Sequence, residues 1–317
     1  MTVSLHRLCV APMMDWSDRH YRYFMRQISA HARLYTEMIT TGALLHGDVD
    51  RHLAFSDEEH PVGLQLGGSE PDELAQCAKL GERYGYDEIN LNIGCPSERV
   101  QRGAFGACLM AEPALVAECI RAVRDAARLP VTVKHRVGID KVEEYSFVRD
   151  FVGTVSLAGC RTFIVHARNA VLKGLSPKEN REVPPLKYDY VHRLKEDFPR
   201  LEIVINGGMT TRMQIEAQLA KVDGVMLGRA AYHDPWLLAD AGKTRAGVVS
   251  RMVEYCRHHR DVPLRGIVRH MLGLYHGAPR ARLWRRMLSD ADRLKENRAE
   301  LLLDALEALE SPEAIGV

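Results

Sequence analysis

Eight short apolar, β-rich runs, the amphipathic stretches between them, and a tail without strand signals predict an α/β fold. The architecture is a (β/α)8 TIM barrel with a C-terminal helical domain. The runs are Leu8–Met13, Arg33–Met38, Val62–Leu66, Glu88–Ile93, Val131–His135, Thr162–His166, Glu202–Ile205 and Gly224–Leu227. Most are apolar on both faces, as parallel strands covered by helices are. Helical periodicity fills the gaps at Asp18–Ser29, Pro71–Tyr84, Glu112–Ala127, Val142–Ala158, Leu186–Asp197 and Thr211–Ala220. Ser69, followed by Glu70, Pro71 and Asp72, reads as an N-cap with acid in the first turn. A doubly wound sheet would want a glycine-rich fingerprint after its first strand, and none is present. The expected division is a barrel over residues 1–242 and helices over 243–317, three to five of them, broken at Pro263 and Gly277–Pro279. The last of these helices is expected over Arg293–Leu309.

Composition narrows the class. Of 317 residues, 46% are hydrophobic and 27% charged, which excludes a disordered or fibrous chain. Seven scattered cysteines without CxxC spacing fit reduced thiols, not a disulfide framework or a zinc site. No run is apolar enough for a signal peptide or membrane span, so the expected location is the cytoplasm, with no metal and no membrane partner. A monomer is the default. The net charge of +1 conceals a segregation: residues 243–286 hold 11 Lys+Arg against 2 Asp+Glu, while 287–317 hold 3 against 8. A basic stretch of that density suits a polyanion.

A barrel places its chemistry at the C-terminal ends of its strands. There the sequence offers Pro12-Met13-Met14, Gln65, Asn92 with Cys95, Lys134, His166, Asn206-Gly207-Gly208 and Gly228-Arg229. Glycines after the seventh strand and Gly-Arg after the eighth suit a phosphate held by backbone N–H groups and a cation. Lys134 lies in an apolar strand, where a lysine needs an anionic partner or a chemical role. It could form a Schiff base with a carbonyl substrate, or hold an electron-rich ring together with Gln65 and His166. Cys95, in Gly94-Cys95-Pro96, is placed for proton transfer or nucleophilic attack. Three readings therefore stand: a cofactor enzyme, a Schiff-base aldolase, and a non-catalytic RNA-binding barrel.

The run Asn90-Leu91-Asn92-Ile93-Gly94-Cys95-Pro96-Ser97, followed by Gly103 and Gly106-Ala107-Cys108-Leu109-Met110, resembles the signature of the flavin-dependent tRNA-dihydrouridine synthases. Ala11-Pro12-Met13-Met14-Asp15-Trp16-Ser17 resembles their opening flavin loop. His166-Ala167-Arg168, the stretch Lys173–Arg181 and Ala281–Arg286 are similar to the DusA branch. The resemblance implies bound FMN, re-reduced by NADPH, and reduction of the C5–C6 double bond of D-loop uridines at tRNA positions 20 and 20a. It implies FMN contacts from Pro12, Met13, Met14, Gln65, Lys134, His166, Asn206, Gly207, Gly208, Gly228 and Arg229. It makes Cys95 the acid that protonates C5 while hydride reaches C6, and places Asn92 beside the target base. Lys178, Arg181, Arg282 and Arg285 are the candidate tRNA contacts, positioning the backbone and carrying little sequence information.

Overall fold

The computed structural model describes residues 4–142 and 144–310. Part of the expected helical domain, residues 311–317, lies outside them. Strand segments β1 (Leu8–Val10), β2 (Leu34–Tyr35), β3 (Ile39–Thr40), β4 (Val62–Gly67), β5 (Glu88–Ile93), β6 (Val131–Arg136), β7 (Thr162–His166), β8 (Glu202–Asn206) and β9 (Gly224–Leu227) form one sheet. Every ladder is parallel, in the order β1-β9-β8-β7-β6-β5-β4-β2, with β3 continuing along β4 beyond β2. A bridge between Cys9 and Arg33 closes the ring. The Val10 amide donates to the Arg33 carbonyl and the Arg33 amide to that of Leu8, both at 2.9 Å. The result is the eight-stranded parallel barrel expected, its strands alternating with helices.

Several boundaries differ for local reasons. β1 ends at Val10 because Pro12 has no N–H to continue the ladder. The expected Arg33–Met38 strand is interrupted at Thr36, whose hydroxyl donates to the Glu37 carbonyl at 2.7 Å and accepts from the Gln65 amide at 3.0 Å. Glu70, not Ser69, occupies the N-cap of helix Pro71–Arg83, with no side-chain capping bond; the Ser69 carbonyl instead faces the Cys119 thiol at 3.5 Å. Pro71 at the first helical position and Asp72 in the first turn are as expected.

The barrel interior has two halves. On β1, β2, β7, β8 and β9 and just past the end of β1, Cys9, Ala11, Tyr35, Ile164, Val204 and Met226 form an apolar cluster with Met13 against it. Residues of such distant strands meet only inside a closed ring. On β4 to β6 the interior is polar, and there the expectation of strands apolar on both faces fails. Gln65, Glu88, Asn90 and Thr132 are all buried and hydrogen-bonded to one another. At the N-terminal end of the strands the His6 ring lies between Glu88 at 2.7 Å and Glu202 at 2.8 Å, and Arg33 meets Glu88 at 3.0 Å. Burial opposes charge on His6, but the two carboxylates prevail and raise its pKa to about 9.

Packing separates two compact units, Met1–Asp15 with Ala32–Gly228, and Trp16–His31 with Arg229–Val317. The second therefore starts at Arg229, ahead of the boundary expected at 242, and takes in the early helix Arg19–Ile28. The cause is local packing. Within this unit Asp18 meets Arg269 at 2.7 Å and His270 at 3.1 Å, Trp16 stacks on Tyr232, and Tyr23 stacks on Tyr255. The tail forms helices Arg245–His258, Leu264–Val268, Ala281–Leu288, Ala291–Lys295 and Leu301–Glu310. The single helix expected over Arg293–Leu309 is broken at Asn297, which is left-handed at φ 54° and accepts from the Leu264 amide through its side chain at 2.6 Å.

Candidate active site

Pairing in register brings the strand-end residues of the barrel unit together. Gln65 lies opposite Asn90, Asn92 opposite Lys134, Arg136 opposite His166, and His166 opposite Asn206. Alternation along β6 sends Lys134 and Arg136 to one side and His135 to the other, where its ring packs against Phe151 and Phe163. Thus of the three successive basic residues on this strand, His135 belongs to the layer between sheet and helices.

The turn after β5 is built by one side chain. Asn92 Oδ1 accepts from the Gly94 amide at 3.1 Å and the Cys95 amide at 2.9 Å, and its Nδ2 donates to Gln65 Oε1 at 2.9 Å. This aims Cys95, whose thiol is partly exposed and faces Ser97 Oγ at 3.4 Å. The Cys95 carbonyl accepts from the Ala107 amide at 2.9 Å. Gly106 makes that approach possible: it is left-handed at φ 79°, and a Cβ there would stand 2.6 Å from the Cys95 carbonyl oxygen. The second loop thiol, Cys108, donates to the Phe105 carbonyl at 3.2 Å, and burial raises its pKa.

Lys134 forms no hydrogen bond or ion pair among the described residues. Burial and, secondarily, the Arg136 and Arg181 charges push its pKa down to about 7, while Cys95 pulls the other way. His166 is neutral, its pKa lowered by burial first and by the surrounding cations next, and its ring has no hydrogen-bond partner among the described residues. A lysine and a histidine left without partners in a cation-rich site fit an anionic or electron-rich ligand. Asn206 is fixed by donating to the Met226 carbonyl at 2.8 Å. Gly207 and Gly208 follow with φ of 120° and 76°, and the Tyr188 hydroxyl donates to the Gly207 carbonyl at 2.6 Å. A Cβ on Gly207 would meet the His166 ring at 2.9 Å, so both loops need the bare backbone. After β1, Pro12 and Met13 are partly buried and Met14 is exposed. Gly228 lies beside Ala11 and Met13. Arg229, next in the chain, opens the short helix Arg229–His233.

Two residues not assigned a role from the sequence shape this end of the barrel. Arg136, 3% exposed, donates to the carbonyls of Gly94 at 3.1 Å, Asn169 at 3.2 Å and Asn180 at 2.9 Å. Asn180 donates to the carbonyls of Val171, Leu175 and Ser176 and accepts from the Val171 amide, knotting the loop that carries Lys178 and Arg181. Both of those cations are exposed. The period-two partnership with Lys134 was the available signal for Arg136; a fully buried loop asparagine gave none. Arg282 and Arg285 belong to the other unit. They are exposed on helix Ala281–Leu288, which buries Trp284 and Leu288 on its opposite side. Among the described residues no group of three or more His, Cys, Asp or Glu could hold a metal ion, and no helix is long and apolar enough to cross a membrane.

The dihydrouridine synthase (Dus) family profile matches residues 9–310. The chain is 54% identical to the tRNA-dihydrouridine(20/20a) synthase of Synechocystis, covering 98% of this chain and 96% of that protein. It is 55% identical to the protein of the same name from Escherichia coli K12, covering 90% and 86%. Among solved structures, a 2-naphthoyl-CoA reductase complex superimposes with a TM-score of 0.56 at 11% identity, over 73% of this chain and 49% of that one. That likeness concerns the fold alone.

Proposed function

The chain belongs to the dihydrouridine synthase family, and from that premise we propose that it is an FMN-dependent tRNA-dihydrouridine(20/20a) synthase using NADPH. The observation that carries this reading is the convergence of the Cys95 turn with unpartnered Lys134 and His166 at one end of the barrel.

The residues present fit a flavin. Gln65, Lys134 and His166 would hold the ring; Asn206, Gly207, Gly208, Gly228 and Arg229 the phosphate; Pro12, Met13 and Met14 the remaining side. Reduced by NADPH, FMN supplies a hydride to C6 of the uracil ring when bound. Cys95 gives its thiol proton to C5 as the general acid. Asn92 holds the Cys95 backbone and would lie beside the target base. A D-loop uridine must leave its stack to reach this depth, so the rest of the tRNA has to be held elsewhere. Lys178, Arg181, Arg282 and Arg285 supply exposed cations for its phosphates. The barrel unit, Met1–Asp15 with Ala32–Gly228, would then be the catalytic part and the helical unit the tRNA-binding one, in a cytoplasmic protein. The test is direct: purified protein should carry FMN and, with NADPH, convert uridine to dihydrouridine at positions 20 and 20a of unmodified tRNA. Colourless protein, or tRNA left unreduced, defeats the reading.

A further inference from the structure

We propose that Glu88, Thr132 and Asn90 form a positioning chain that fixes the orientation of the Gln65 and Asn92 side-chain amides beside Cys95. The links are contiguous. Thr132 Oγ1 donates to Glu88 Oε1 at 2.6 Å, Asn90 Nδ2 to Thr132 Oγ1 at 2.7 Å, Gln65 Nε2 to Asn90 Oδ1 at 2.7 Å, and Asn92 Nδ2 to Gln65 Oε1 at 2.9 Å. The last link is the Cys95 amide, donating to Asn92 Oδ1 at 2.9 Å. Every donor points toward Glu88.

That direction is forced from both ends. Glu88, ionised beside Arg33 and His6, can only accept, so the single Thr132 proton goes to it. Thr132 Oγ must then accept from Asn90, which turns the Asn90 oxygen to Gln65 and the Gln65 nitrogen to Asn90. At the other end two backbone N–H groups take the Asn92 oxygen, leaving the Asn92 nitrogen for Gln65. Both constraints give Gln65 the same orientation. Flipping any one amide sets oxygen against oxygen in a region where Asn90 is 0% exposed and Gln65 and Thr132 each 1%. The Gln65 and Asn92 nitrogens each keep one N–H that the chain does not use, so what these amides offer a ligand is set by a carboxylate at the other end of the barrel. No link crosses between the two compact units; all lie in the barrel.

The inference rests on the reading of Gln65 as a flavin contact, and the experiment separates the two. Wild type, Thr132→Val and Thr132→Ser are compared as holoproteins for FMN affinity, flavin absorption and melting temperature. Valine keeps the shape and removes the hydroxyl; serine keeps the hydroxyl. Thr132→Val should weaken FMN binding about tenfold and displace the flavin bands, the loss expected when one buried hydrogen bond is broken, while Thr132→Ser restores wild-type values. A folded Thr132→Val protein with wild-type affinity and spectrum overturns the positioning chain. If that variant fails to fold, side-chain amide exchange of Asn90 in the wild-type holoprotein decides: slow exchange is expected, and rapid exchange overturns the chain. Wild-type protein that retains no FMN defeats the flavin reading instead.

Discussion

Two groups of charges, one inside the barrel unit and one on helix Ala281–Leu288 of the helical unit, are held in opposite ways. Inside the barrel, Glu88 is held by His6 and Arg33, and Arg136 by three carbonyls. In the helical unit, Arg282 and Arg285 point outward and make no side-chain hydrogen bond or ion pair among the described residues. Locked charges can present one small ligand with a fixed geometry, at the expense of desolvation. Exposed charges keep their hydration and freedom, which suits many phosphates spread over a large partner. The difference teaches that a near-zero net charge describes neither unit.

Four variants break or sharpen that contrast, in falling order of effect. Cys95→Ala should lower dihydrouridine formation on the order of 10²–10⁴-fold, the usual worth of a general acid, with FMN retained. Nucleoside analysis of reacted tRNA measures it; unchanged turnover removes Cys95 from the reaction. His6→Leu tests the locked cluster. A pKa raised from 6.5 to about 9 corresponds to about 3 kcal/mol of stability. Because the folded value is raised, the contribution is complete below pH 6.5 and disappears as pH rises through about 9. Denaturant titrations should therefore show the variant's deficit at pH 6 and little of it at pH 10.

Lys134 gives the third comparison. With its pKa at about 7, the ammonium is charged in the free protein only below neutrality. A ligand that prefers the charged form raises the value again, so FMN affinity should fall by up to about tenfold per pH unit above 7. Lys134→Met should bind FMN more weakly and without that slope; a variant that keeps the slope transfers it to another group. The smallest effect is expected of Arg282→Ala with Arg285→Ala. Binding of tRNA should weaken severalfold and its salt dependence lose about two units of slope, without loss of FMN. An unaltered salt slope would show that these arginines face solvent only.

The sequence disclosed the barrel where its physics is local. Thr162–His166 and Gly224–Leu227 are fully buried parallel strands, and continuous apolar runs have no other easy explanation. Cys95, Lys134 and His166 were legible because polar residues ending apolar strands stand out. Glu88 and Thr132 were not, because each looks like an ordinary strand residue until pairing brings them together, and Asn90 stood out only as part of the signature run. His6 meets Glu88 across 82 positions, a partnership no short window contains. The interruption at Thr36 and the break at Asn297 were hidden for the same reason: each depends on an amide from a distant segment.

The early helix Arg19–Ile28 has a consequence for synthesis. It is translated before most of the barrel, yet the residues that hold its flank, Arg269 and His270 on Asp18, Tyr232 on Trp16 and Tyr255 on Tyr23, are translated near the end. Tyr21, Phe24, Met25 and Ile28, all fully buried in the finished protein, leave the ribosome long before those partners do. Contacts at such sequence separation are slow to form and leave apolar surface open to aggregation meanwhile. The helical unit is therefore completed only after the barrel strands between its two pieces have been made, and a nascent chain stopped at the end of β9 carries that helix without Tyr232, Tyr255, Arg269 and His270.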